Sequence, residues 1–442
     1  MNDYHHVAYR SFMKKEYFTM DELKEPRITL RCLEIKNVHH LHDINLALDS
    51  ANGLPRHLVL TGKNGSGKTS VLKAISSHLE EVCSNDNFSK NIQALQVLNH
   101  QSKDLSIVND EKRMRDTNQV MESLRTSVEK ARHGIELVFN VPYYQVFDSF
   151  QNGSLVIAFF QDNRKFETLP VKHIEKVPLQ DHYKISEEPR KDFIRYLVDK
   201  KVSQSLYQTE NDTANAVQIK EWFDSFERLL REVFEDESLS LKFDVKTFSF
   251  SLLSGNRDPF DFNTMSAGYS AILDITISMI MRMEANANGK FAFDLPGIVL
   301  IDEPETHLHY ELQKKIMPFL CRIFPNVQFI VATHSAFVLN SMENVVIYDL
   351  ENQTLVENGL ANVPYEGIIK SYFDVSTLSH SLSQKFERYK ELVTKETLTD
   401  EDFAEIGRLQ IYLEEIPDYL ALDLSLEYRQ LKLELQNRED LK

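Results

Sequence analysis

Apolar and polar positions follow two periods along the chain. Ile28 to Asn37 (ITLRCLEIKN) alternates closely enough to predict a strand, and Ile44 to Leu48 (INLAL) predicts its hairpin partner. A short apolar run, His57-Leu58-Val59-Leu60, meets a glycine-rich turn. Val71, Leu72, Ile75 and Leu79 then mark one face of a helix reaching to about residue 83. Residues 84–135 are polar, with apolar patches at 92–97 and 120–128, and predict a helical insertion shaped as a short hairpin arm. Strand character returns over 136–160 in ELVFNV and SLVIAFF. From 186 to 236 the pattern is helical. Trp222, Phe226, Leu229 and Val233 share one face there, a stripe of the kind that packs into a core. Residues 239–245 and 248–253 predict a strand pair, and a helix starts near Ser266. Gly297–Ile301, Phe329–Ala332 and Val345–Asp349 predict buried strands. Strands alternating with helices in this way predict an α/β fold with a parallel sheet covered on its faces.

After Pro364 the pattern changes to three successive amphipathic stripes: Leu382, Phe386, Tyr389, Leu392; then Phe403, Ile406, Leu409, Leu413; then Leu424, Tyr428, Leu431, Leu435. Thr399-x-x-Asp402 is placed to cap the second helix. These stripes predict a C-terminal helical appendage over 380–442.

At 442 residues the length prior is roughly three domains, or one large domain with insertions. Hydrophobic residues at 42% and charged residues at 26% place the chain among ordinary globular proteins. It has no run of 18 apolar residues, and its first residues (MNDYHHVAYRSFMKKEYF) contain no apolar signal core, so no membrane partner is expected. The three cysteines, Cys32, Cys83 and Cys321, lie far apart. That spacing speaks against a zinc site or a disulfide framework and fits the cytoplasm. A net charge of −17 opposes nucleic-acid binding by the whole-protein field, although a local DNA-binding surface stays compatible with it.

The glycine-rich turn carries the first chemistry. LVLTGKNGSGKTS has the spacing G-x-x-x-x-G-K-T, with Gly62, Gly67, Lys68 and Thr69 at the fixed positions. Between strand and helix, backbone N–H groups of such a turn cradle phosphates. The lysine reaches the β- and γ-phosphates, and the threonine hydroxyl binds Mg²⁺. ATP or GTP is the expected ligand, held over Gly62, Lys63, Asn64, Gly65, Ser66, Gly67, Lys68, Thr69 and Ser70. Residues 298–303 (IVLIDE) form an apolar strand ending in two carboxylates. Asp302 is placed to hold Mg²⁺ through water, and Glu303 to orient the attacking water. In FIVATHSAF, His334 follows a strand and can donate to a γ-phosphate oxygen. TMSAGYSA puts Ser266, a small residue and Gly268 at a helix start, a second anion-binding terminus. Some 200 residues separate it from the first, which makes sense if it closes over nucleotide held by another subunit.

Gly62–Ser70, Ser266-Ala267-Gly268, Ile301-Asp-Glu-Pro-Glu305 and Thr333-His334-Ser335 resemble, in that order, the motifs of ABC-type ATPases of the SMC, RecF and OLD group. The phrase IDEPETHLH followed by ATHSAFVLNSMENVVIYDL looks most like stand-alone bacterial OLD-like ATPases. The resemblance implies an ABC-type ATPase head over 28–379, behind an N-terminal extension at 1–27. It also implies Mg²⁺-dependent ATP hydrolysis, and a head-to-tail sandwich in which Ser266 and Gly268 of one subunit meet the γ-phosphate held by another. Gln161, after SLVIAFF, matches the family's Q-loop and with it a contact to the metal. Ala267-Gly268-Tyr269 departs from the more usual signature, which bears on the rate of hydrolysis more than on binding. Such ATPases resemble subunits of bacterial anti-phage systems such as Septu and PARIS. That likeness implies a homo-oligomer that controls a separate effector nuclease or toxin. The alternative is a RecF- or SMC-like ATPase acting on DNA itself.

Overall fold

The computed structural model describes residues 27–49, 55–108, 111–363 (apart from 165, 170, 172, 256, 257, 288, 289 and 292), 367–368, 380–414 (apart from 396) and 422–436. The expected extension at 1–27 therefore lies almost wholly outside the described residues. The chain divides into two compact units, Met1–Asn362 and Val363–Lys442.

The first unit is built on two sheets. Strands β1 (Leu30–Val38), β2 (Leu41–Ala47) and β4 (Ile135–Phe139) form an antiparallel sheet in the order β2-β1-β4. Their alternating burial places Leu33, Ile35, Leu46, Ile135 and Leu137 inside, as period-two patterning requires. Strands β3 (His57–Thr61), β5 (Val156–Phe160), β8 (Gly297–Asp302), β9 (Val327–Ala332), β10 (Val345–Asp349) and β11 (Thr354–Val356) form a six-stranded sheet ordered β11-β10-β3-β9-β8-β5. Its five long strands are parallel, and β11 adds an antiparallel edge. β3, β8, β9 and β10 are buried at every position, which explains the apolar runs 58–60, 298–301, 329–332 and 345–348 within them.

Gln328 joins the two sheets. Its buried amide accepts from Leu30 N (2.7 Å) and donates to Leu30 O (3.0 Å) and Arg56 O (2.7 Å), replacing a stretch of strand pairing with one side chain.

Helix α1 (Lys68–Ser84) leaves the glycine-rich turn and buries Val71, Leu72, Ile75 and Leu79. Helices α2 (Asp86–Val108) and α3 (Glu111–Ala131) form the paired arm within 84–135. Between β4 and β5 the chain makes helix α4 (Tyr143–Gln151), where the sequence pattern had shown only strand character. Val146 and Phe150, four apart and buried, mark its inner face. Helices α5 (Phe193–Thr209) and α6 (Thr213–Phe234) form a pair whose Trp222, Phe226, Leu229 and Val233 are buried. Trp222 Nε1 donates to Glu284 Oε2 at 3.2 Å, which satisfies its indole within the core. A short ribbon, β6 (Ser240–Asp244) and β7 (Ser249–Leu253), precedes helix α7 (Ala267–Met283). From Ser270 onward α7 is buried on all sides. Helices α8 (Tyr310–Ile323) and α9 (Ala336–Ser341) complete the unit. Among the described residues no helix is long and apolar enough to cross a membrane.

The second unit contains α10 (His380–Thr394), α11 (Asp400–Glu414) and α12 (Leu422–Gln436) around Phe386, Tyr389, Leu392, Ile406, Leu413, Tyr428, Leu431 and Leu435. Thr399 and Asp402 cap α11 reciprocally: Asp402 Oδ2 accepts from Thr399 N (2.8 Å), and Thr399 Oγ1 accepts from Asp402 N (3.3 Å). Phe403 departs from its expected stripe and is 40% exposed. At about 100° per residue it lies roughly 90° from the mean direction of Ile406, Leu409 and Leu413. The side chain of Leu424 lies outside the described residues.

Candidate nucleotide site

The site forms at the carboxyl ends of neighbouring parallel strands, where an open α/β sheet leaves a crevice. β3 ends at Thr61, residues 62–67 make the turn, and α1 begins at Lys68. Gly62 (φ 133°) and Gly67 (φ 99°) carry the bend: a Cβ on Gly62 would stand 2.8 Å from Ser66 Oγ, and one on Gly67 3.0 Å from Leu41 Cδ1. Gly67 is the N-cap of α1. No side chain caps the helix, and its first turn has no acidic residue, so the helix start keeps its N–H groups and dipole for an anion. Lys63, Asn64, Gly65 and Thr69 are exposed, Ser70 is half-buried, and Ser66 and Lys68 are buried. Lys63 is tied to the turn after β10 through Glu351 Oε1, 3.0 Å from its Nζ. Lys68 Nζ donates to Gly62 O (2.8 Å) and Lys63 O (3.3 Å) and stands 3.9 Å from Glu303 Oε1.

β8 delivers the carboxylates. Asp302, its last residue, is 1% exposed and lies beside the Thr69 side chain. Burial pushes the Asp302 carboxyl above its ordinary value, and the neighbouring Thr69 hydroxyl opposes that shift. Glu303 follows in a left-handed conformation (φ 48°), with its N–H donating to Ala332 O at 2.8 Å. Its Oε2 lies 2.5 Å from His334 Nδ1, beyond the end of β9. Burial alone would raise the Glu303 carboxyl. Hydrogen bonds from His334 and Glu305 and the Lys68 charge hold it below its usual range. The bond to Glu303 correspondingly raises the His334 imidazole.

Glu305, quoted in the sequence motif but given no role there, proves central. Its Oε1 accepts from Thr333 Oγ1 (2.5 Å), His334 N (3.0 Å) and Ser335 N (3.1 Å), so it shapes the turn that presents His334. Burial, reinforced by the neighbouring Glu303, pushes the Glu305 carboxyl up to about 7. Ligand atoms of Glu303, Glu305 and His334 lie within 4.8 Å of one another.

Gln161 is exposed just past β5. The register Phe160↔Ile301 sets it beside Asp302 on the neighbouring strand. Three residues on, Arg164 is buried, a residue that no pattern in the sequence singled out. Ser266 is the exposed N-cap of α7, and no side chain caps that helix either. Gly268 is half-buried: a Cβ there would stand 3.2 Å from His307 O, so the α7 start packs against the turn after β8. Tyr269, the departure from the usual signature, lies with its ring centroid 4.4 Å from that of Phe234 on α6, which gives the substitution a packing role.

Thr61 Oγ1, Ser66 Oγ and Asp302 Oδ1 are buried without a protein hydrogen-bond partner. With an open helix start and a lysine ammonium alongside, the two hydroxyls fit a triphosphate. The oxygens of Thr69 and Asp302 fit a hard divalent cation such as Mg²⁺.

Residues 58–340 match the family described as AAA domain, putative AbiEii toxin, Type IV TA system. The retron Ec83 probable ATPase of Escherichia coli is 31% identical over 148 residues, covering 32% of this chain and 27% of that protein. The Septu protein PtuA of Bacillus mycoides is 22% identical over 477 residues, covering 99% of this chain and 58% of that protein. The chain thus spans less than two thirds of the length of either relative. An SMC head bound to the C-winged helix domain of ScpA aligns at a TM-score of 0.37 with 12% identity, over 76% of this chain and 100% of that one.

Proposed function

The chain belongs to the family of AAA-domain ATPases that its nucleotide-binding unit matches, and from that premise we propose that it binds and hydrolyses ATP as the ATPase component of an anti-phage system. One observation carries the chemistry. Lys68, Asp302, Glu303 and His334 come from three separate motifs, yet they meet at the carboxyl ends of β3, β8 and β9. Lys68 holds the β- and γ-phosphates. Glu303, kept ionised by its hydrogen bonds, accepts the proton of the attacking water, and His334 faces the γ-phosphate. Thr69 and Asp302, with Gln161 alongside, would hold Mg²⁺, which would supply charge neutralisation at the phosphates.

Ser266 and Gly268 sit at an exposed, uncapped helix start, which supports a second role. Two copies pair head to tail, each giving this terminus to the nucleotide of the other. The likeness to the retron and Septu relatives supports a wider reading. Assembled through such pairs, the protein controls a separate effector nuclease or toxin.

The test uses Glu303→Gln. Turnover is expected to fall by about 10²–10⁴ with ATP binding retained, so ATP-bound oligomers accumulate in native mass spectrometry. Unchanged turnover removes Glu303 from the reaction. Turnover that is stimulated by DNA and falls steeply with salt would favour direct action on DNA over effector control.

A further inference from the structure

The guanidinium of Arg164 donates through Nη1 to Gln161 O (2.8 Å) and Asp302 O (2.6 Å), and through Nη2 to Glu303 O (2.6 Å). It is 7% exposed. Burying a guanidinium is costly, and here its fork is used on main-chain carbonyls. Those carbonyls belong to the two loops that close the site, one after β5 and one after β8. Glu303 needs such support. Its φ of 48° is a conformation that costs a non-glycine residue energy and persists only where the surroundings enforce it. Its N–H is fixed to Ala332 O, and its carbonyl is fixed by Arg164. The same segment continues to α7, where Phe166 N donates to Ser270 Oγ at 3.0 Å. Asp274, buried one turn further along α7, is the carboxylate whose charge most favours the charged form of Arg164.

We propose that Arg164 is a positioning residue for hydrolysis: its fork fixes the two peptide groups that flank Glu303 and ties them to the Gln161 loop, so that the Glu303 carboxylate is held in line with the water it activates. The inference rests on the reading of Glu303 as the group that accepts the water's proton. Lysine cannot replace the fork, because one ammonium cannot bridge three carbonyls in that plane. A displacement of about 1 Å in a reacting group costs about 10²-fold in rate without touching ground-state binding.

The experiment measures ATP affinity and single-turnover hydrolysis on the full chain for wild type, Arg164→Ala and Arg164→Lys, each with Glu303 intact or as Glu303→Gln. With Glu303 intact, Arg164→Ala is expected to slow hydrolysis by about 10²-fold, and Arg164→Lys by less, with ATP affinity within about threefold of wild type. In the Glu303→Gln background the same substitution should add less than about threefold, since the group it positions is already gone. A residue with only a structural role would slow both backgrounds equally, and that additivity overturns the proposal. So does an Arg164→Ala rate within threefold of wild type, or a loss of ATP affinity as large as the loss of rate. If Arg164→Ala does not fold, Arg164→Lys is judged by the same non-additivity. A wild-type chain without ATP turnover overturns the functional reading and this inference together. A normal Arg164→Ala rate overturns the inference alone.

Discussion

Helices α1 and α7 both start from turns of small residues, and the two starts are built differently. At α1 the chain surrounds its own terminus. Lys68 is 6% exposed, Ser66 is buried, and three glycines at positive φ, Gly62, Gly65 and Gly67, curl the backbone around the helix axis. At α7, Ser266 and Ala267 are exposed, and only the next residue, Gly268, packs against its own chain, at the His307 carbonyl. One terminus is completed by its own fold. The other is displayed, with its helix anchored behind it by a buried run from Ser270 to Met283. A phosphate site divided between two copies predicts this asymmetry, because the half that recognises a partner's nucleotide has to remain open until the partner arrives.

The comparison breaks most completely at Lys68. Lys68→Ala is expected to reduce ATP binding by at least about 10²-fold, since it removes a buried ammonium and the lysine charge beside Glu303. Nucleotide titration checks this, and wild-type affinity would remove α1 from the site. A smaller and more selective effect is expected at the other terminus. Ser266→Arg should leave ATP affinity within about twofold, because an exposed surface change rarely alters a distant site, while turnover and ATP-driven pairing are lost. Mixed with Lys68→Ala protein, it should regain part of the activity, as each copy supplies the terminus the other lacks. No recovery in heterodimers shown to form would make α7 an ordinary surface helix. The smallest effect is expected from pH, on the α1 side alone. The His334 imidazole is raised by Glu303, so the stability it contributes is fully present below its unfolded value of 6.5. That contribution is lost as pH rises through the higher folded value. The depressed Glu303 carboxyl loses its share only in acid, below 4.5. The difference in melting temperature between wild type and His334→Gln should therefore narrow from pH 6.5 upward. A gap that is constant with pH would mean the pair is not ionic.

Which parts of the site were legible follows from the same contrast. Gly62, Lys68, Asp302 and His334 could be read because each chemistry is local, a turn or a strand end fixed by neighbouring residues. The buried strands were legible for the same reason, since a strand covered on both faces is mostly apolar. Arg164 was not legible. Its importance comes from carbonyls 138 and 139 residues away, and a buried arginine leaves no periodicity in sequence. Helix α4 was missed because its nine residues offer just two buried positions, too few to separate a short helix from the strands around it. Tyr269 read as a defect in a motif, and the Phe234 ring beneath it accounts for the substitution.

The strand order β11-β10-β3-β9-β8-β5 has a consequence for how the protein is made. β3, which feeds the glycine-rich turn, lies between β9 and β10, and neither neighbour begins before Val327. At synthesis rates of about 5–20 residues per second, β3 leaves the ribosome roughly 15–50 s before any strand of its sheet can flank it. During that interval a five-residue segment, buried at every position in the finished protein, has both hydrogen-bonding edges open. Newly made chains should therefore depend on chaperones until the last third of the sequence has emerged. Truncations ending before Val345 should aggregate even though every residue of the glycine-rich turn is present.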